Sequence, residues 1–288
     1  MKNLLIAITM TSVLQNWDLF LPQMILGGIL GALLSVLGIL LVLRNMTFFG
    51  ITLSQAVGFS VAFCLFMDWD REIYPILLSC LLIIPIILMR RISHIKEDVI
   101  LGILFVFFAS ISQVLLALGG NVQNHLMASY FGDILTSQVK LNSFGIWTAG
   151  IAFFIYLAYF RRFLFLSFDR DEYRIQIGNP FFFDILFYLI LASAVTVAVN
   201  VLGSFYSIAH LLIPVFTLLP FVRSTKILAL VSVLFSITGT IAGFFLSLAG
   251  FSHLGETIYF PTSSMIIVFM CVFSFLILAV RSLFKRLF

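Results

Sequence analysis

The sequence predicts an all-α fold, a polytopic membrane helix bundle of about nine spans, with eight possible if two neighbours merge. Three observations predict it. First, 62% of the 288 residues are hydrophobic and only 10% are charged, against about 45–50% and about 25% in soluble domains. Second, the apolar residues gather into nine runs near the roughly 20 residues that a helix needs to cross about 30 Å of hydrocarbon. Third, the runs are continuously apolar and lack the two-residue alternation of an outer-membrane barrel. A soluble enzyme, a disordered chain and a nucleic-acid-binding domain are excluded, because such a surface is not tolerated in water. The +4 charge does not point to nucleic acid, since the basic residues lie between apolar runs and not in one patch.

The runs are 21–43, 47–67, 73–89, 98–119, 141–160, 181–203, 204–222, 226–250 and 261–281. Residues 1–18 carry Lys2, a short apolar stretch and Trp17, and read as an interfacial segment at the start of a single transmembrane domain spanning 1–288. The first run holds Gly27, Gly31 and Ser35 on one face, and the eighth holds Gly239 and Gly243. Small residues four apart let helix backbones approach closely in lipid, here as packing within one chain. The second run carries Thr52, Ser54, Gln55 and Ser60, the fourth Gln113 and the sixth Asn200, each read as an interhelical hydrogen bond or as part of a polar pathway.

Only Asn200 to Ser204 separate the sixth run from the seventh. The seventh holds Pro214 and Pro220, and proline breaks or kinks a helix. His210 lies one turn before Pro214, and an ionisable residue inside a span is a functional-site candidate that one helix carbonyl could equally satisfy. Cys64, Cys80 and Cys271 fit neither a zinc site nor a disulfide framework and read as packing residues.

Basic residues set the orientation. With the N-terminus outside and nine alternating spans, the inner side receives Arg44, Arg90, Arg91, Lys96, Arg161, Arg162, Arg170, Arg174, Arg223, Lys226, Arg281, Lys285 and Arg286. The outer side receives Lys2, Arg71 and Lys140, so the C-terminus is cytoplasmic.

The inner segment 161–180 differs from every other loop. Ser167 or Asp169 can cap a short helix, Asp171 and Glu172 fill its first turn, and Gly178 followed by Pro180 stops it. Tyr173 and Ile177, four apart, give it an apolar face. The chain has no G-x-x-x-x-G-K-[ST] phosphate loop and no catalytic signature, so any ATPase must be a different chain.

Three stretches then resemble the membrane permeases of ATP-binding-cassette importers for zinc, manganese and iron, the ABC type 3 integral membrane protein family. Arg44 to Ala56, with Gly50, Leu53 and Ser54, is similar to the family's R-x-x-x-x-x-G-D-x-L-S-H-A. Lys96-Glu97-Asp98 with Gly102 is similar to its K-E-D-x-x-x-G. Ser167-Phe168-Asp169 to Gly178, followed by Leu211-Leu212-Ile213-Pro214, is similar to its S-F-D…G segment and L-L-x-x-P turn. Pro261 to Val268 resembles the start of its last span.

The resemblance implies a permease subunit that moves a divalent metal ion across the inner membrane, with no cofactor bound by this chain and ATP on a partner. It implies cytoplasmic ABC ATPase subunits, a second permease chain (same or different) and an extracytoplasmic metal-binding protein as partners. It also implies an ATPase-coupling role for Ser167, Phe168, Asp169, Asp171, Glu172, Tyr173, Arg174 and Gly178. The family's Asp and His in the second span stand four apart, a ligand pair on one helix face. Here those positions are Ile51 and Gln55. Either Gln55 and His210 together serve as transport-path metal ligands, or a second permease supplies them. The alternative class is an ion-coupled secondary transporter, which would show more ionisable residues inside its spans and an internal repeat.

Overall fold

A computed structural model describes residues 17–69, 71–92, 97–117, 144–248, 251–253, 256–258 and 260–287. The interfacial segment expected before Trp17 lies outside the described residues, as do Lys96 and Lys140.

Among the described residues, nine apolar helices occupy the nine runs. They are α1 (Trp17–Leu43), α2 (Thr47–Phe66), α3 (Ile73–Ile92), α4 (Glu97–Ala117), α5 (Phe144–Phe168), α7 (Phe181–Leu202), α8 (Ser204–Leu218), α9 (Thr225–Leu248) and α10 (Thr262–Leu287), with a short α6 (Arg170–Gln176) between α5 and α7. Seven are long and apolar enough to cross a membrane, while Ile73–Ile87 of α3 and Ser204–Leu218 of α8 are shorter. Among the described residues the strands form one antiparallel hairpin, β1 (Phe251–His253) with β2 (Glu256–Ile258), which pairs His253 with Glu256.

Two boundaries have a local reason, and the first of them differs from the sequence reading. α5 runs on through Arg161 and Arg162 to Phe168, because Phe163 and Leu166 remain buried against the bundle. The break between the sixth and seventh runs falls at Gly203, whose φ of 92° suits glycine. α8 continues through Pro214. The missing N–H there leaves the carbonyl of His210 without its helical donor.

α1 is the central helix, packed against α8 and α9 on one side and against α5 and α7 on another. Glycine makes the closest approach possible. A Cβ on Gly38 would strike the backbone carbonyl of Leu211 on α8, and one on Gly243 would strike the backbone of Ile266 on α10. Gly31 faces the His210 ring and Gly239 faces Met270. These small residues thus pack helices within the chain, as lipid requires where no hydrophobic drive operates between helices.

Candidate functional site

α1 and α8 run parallel, since Gly27, Gly31 and Gly38 meet Tyr206, His210 and Leu211 in that order. Their C-terminal ends therefore share one side of the bundle. Arg44 ties the α5 end and the α7 start to that same side. Arg281 of α10 lies 4.9 Å over Phe221, just beyond α8, and adds the α10 end. The basic ends of α1, α5 and α10 are thereby collected on one side.

An ionic cluster closes this side. Arg44, the residue after α1, donates from Nε to Ser167 Oγ at 2.8 Å, and its terminal nitrogens reach Asp184 Oδ1 and the Phe163 carbonyl, both at 3.3 Å. Asp184, in the first turn of α7, also receives Arg170 of α6 at 2.7 Å. The Arg44 guanidinium lies 4.6 Å over the Phe187 ring. The Arg44 and Asp184 side chains are only 7% and 12% exposed, so four helices meet at a nearly dry ion pair. Burial pulls the Arg44 pKa below its ordinary value, and the Asp184 carboxylate opposes that shift. The turn beyond Arg44 is tight: Asn45 adopts φ 54°, and the Met46 N–H returns to the Leu41 carbonyl at 2.9 Å.

α6 stands on this cluster. Asp169 is its cap, accepting the Glu172 N–H at 2.8 Å, whereas the Ser167 hydroxyl donates to the Phe163 carbonyl at 2.6 Å and accepts from Arg44. Gly178, at φ 116°, ends the helix with its N–H on the Tyr173 carbonyl at 3.3 Å. Tyr173 is fully buried between Phe165 and Phe183. Its expected partner Ile177 is instead exposed, because the helix ends before it. Asp171, Glu172 and Arg174 are exposed, and so are Phe168 at 70% and Ile175 at 86%.

A second polar cluster lies inside the bundle. His210 is fully buried and stacks on Tyr206 with ring centroids 3.9 Å apart. Its Nδ1 faces the Tyr206 carbonyl at 3.1 Å, and a carbonyl only accepts, so Nδ1 carries the proton. Nε2 is then an acceptor, 3.0 Å from the Thr240 hydroxyl of α9. The Tyr206 hydroxyl donates to the Gly27 carbonyl at 2.9 Å. Neutral groups on three helices thus satisfy one another.

Gln55 is buried on α2 and its amide oxygen has no hydrogen-bond partner among the described residues. Its neighbour Ser54 donates to the Ser204 carbonyl at the start of α8. No hydrogen bond joins Gln55 to His210, whose contacts face α1 and α9. Ile51 packs against the apolar core. No group of three or more His, Cys, Asp or Glu side chains that could hold a metal ion occurs among the described residues. Sequence reasoning placed Arg44 at the inner end of the first run and missed its pairing with Asp184. The available signal was an acid in the first turn of one span and an arginine just past the end of another.

The family model described as the ABC 3 transport family matches residues 16–281. The chain belongs to the ABC 3 transport family. It is similar to the high-affinity zinc uptake system membrane protein ZnuB of Haemophilus influenzae, 27% identical over 80% of this chain and 88% of that protein. It is also similar to the manganese import system permease protein ScaB of Streptococcus gordonii, 24% identical over 76% of this chain and 78% of that one. A solved structure, PsaBC from Streptococcus pneumoniae in complex with Fab, aligns with a TM-score of 0.77 at 23% identity, over 93% of each chain. That likeness shows a shared fold over nearly the whole chain.

Proposed function

We infer that this chain is the permease subunit of an ATP-driven importer of a divalent metal ion in the cell (inner) membrane. Family membership over residues 16–281 is the observation that carries the reading. Relatives named for zinc and manganese uptake support the class of cargo. We propose nine crossings, the N-terminus outside and the C-terminus in the cytoplasm, because the basic ends of α1, α5 and α10 collect on one side of the bundle. ATP is hydrolysed by separate cytoplasmic subunits, a second permease chain completes the path, and an extracytoplasmic metal-binding protein delivers the ion.

In this reading α6 is the coupling helix. A capped and glycine-terminated helix that leaves Phe168 and Ile175 bare outside the membrane is suited to a protein groove. Ser167, Phe168, Asp169, Asp171, Glu172, Tyr173, Arg174 and Gly178 build it or present its face. Of the two transport-path candidates, Gln55 keeps a buried oxygen available for a passing ion, while both ring nitrogens of His210 are engaged. An ion-coupled secondary transporter is not favoured, since the chain belongs to the ABC 3 transport family.

The test is uptake of zinc and of manganese into proteoliposomes carrying this chain with its ATPase partner and binding protein. Uptake that needs ATP and the ATPase is expected, and Ile175→Asp should abolish it while the permease still folds. Uptake driven by an ion gradient without ATPase would contradict the reading.

A further inference from the structure

We propose that Arg44 is the positioning residue that carries movement of α6 to the corner between α1 and α2, through Asp184 and Ser167. The inference rests on the coupling reading of α6 and adds the path by which a push on α6 reaches the ion's route.

α6 is joined to the bundle in two ways. Tyr173 sits between the rings of Phe165 and Phe183, which are on α5 and α7 only. Arg170 holds Asp184 at 2.7 Å, and Asp184 holds Arg44 at 3.3 Å. Among the described contacts, this ionic chain is what links α6 to α1. Arg44 also grips the last turn of α5 through Ser167 Oγ and the Phe163 carbonyl. Its planar fork spends donors on three acceptors from two elements, a geometry that a lysine cannot reproduce.

The far side of Arg44 is stiff. The Arg44 N–H returns to the Leu40 carbonyl, Asn45 to Val42, Met46 to Leu41, and the Gly50 N–H of α2 to Met46. Displacement of the guanidinium therefore displaces the end of α1 and the start of α2 together. α1 is the most buried span and braces α8 through Gly31 and Gly38. α2 carries Gln55. A shift at the cluster thus reaches the two most buried of the candidate spans, through contacts that hold or break as a unit.

The experiment measures ATP hydrolysis and zinc or manganese uptake on the same proteoliposomes of the full transporter. Arg44→Gln is expected to leave the ATPase bound and hydrolysing, while metal moved per ATP falls roughly tenfold. The double variant Arg44→Gln with Asp184→Asn is expected to lose no more than the single, since both belong to one path. Arg44→Lys keeps the charge without the fork and should give an intermediate ratio, which preserves the test if Arg44→Gln assembles poorly. A merely structural role would lower uptake and hydrolysis in proportion. That result, or additive losses in the double variant, would overturn the inference alone. A wild-type transporter without ATP-driven uptake would overturn the coupling reading and this inference with it.

Discussion

The cluster around His210 and the cluster around Asp184 meet the same demand, that buried polar groups find partners, with different chemistry. Around His210 every group is neutral: imidazole, phenol, hydroxyl and helix carbonyls share hydrogen bonds between α1, α8 and α9. Around Asp184 two guanidiniums converge on one carboxylate at the bundle's basic end. Charge deep in hydrocarbon is costly, while near the rim a largely buried ion pair can still draw on water through the exposed Arg170. Strong, directional and breakable ionic contacts thus lie where α6 meets the bundle, and the interior is closed by packing and neutral hydrogen bonds.

Substitutions can break or sharpen that contrast. The largest effect is expected from Asp184→Ala, which leaves Arg44 buried without its carboxylate and should destabilise the detergent-solubilised protein by about 3–5 kcal/mol in thermal unfolding. Arg44→Gln should cost clearly less, because Asp184 keeps Arg170. Gly38→Ala comes next, near the top of the about 1–3 kcal/mol typical of overpacking, because the new methyl meets a backbone carbonyl that has no rotamer to yield. Thr240→Val removes the hydroxyl that serves His210 and should cost about 1–3 kcal/mol as an unmet buried acceptor. The smallest effect is Gly28→Ala, where nothing lies within 4 Å, and it should stabilise by about 0.4–1 kcal/mol. Equal melting temperatures for the alanines at 28 and 38 would contradict the packing described for α1.

The nine apolar runs were legible because length and continuity of hydrophobicity are local properties, and each became a helix. Asp169 as a cap and Gly178 as a stop were legible for the same reason. The Gly31 and Gly243 contacts followed from spacing, whereas Gly38 stands outside any GxxxG pair, so its approach to Leu211 could only be seen once α8 was placed. The continuation of α5 to Phe168 was hidden because Arg161 and Arg162 read as a loop, while Phe163 and Leu166 gain their burial from other helices. The Arg44–Asp184 pair spans 140 positions, and no local pattern reports it. Gln55 and His210 were singled out as rare polar residues in spans, but a pattern of types cannot say which lone pairs are already spent.

The central claim is that α6 receives an ATPase from the cytoplasm. The most direct test places a photocrosslinking side chain at position 175 in the native membrane and identifies the adduct by mass spectrometry. The account predicts one major product, a nucleotide-binding subunit with a phosphate-loop motif, whose yield changes when ATP is trapped. Crosslinks only to lipid, or to proteins of the outer face, would contradict it.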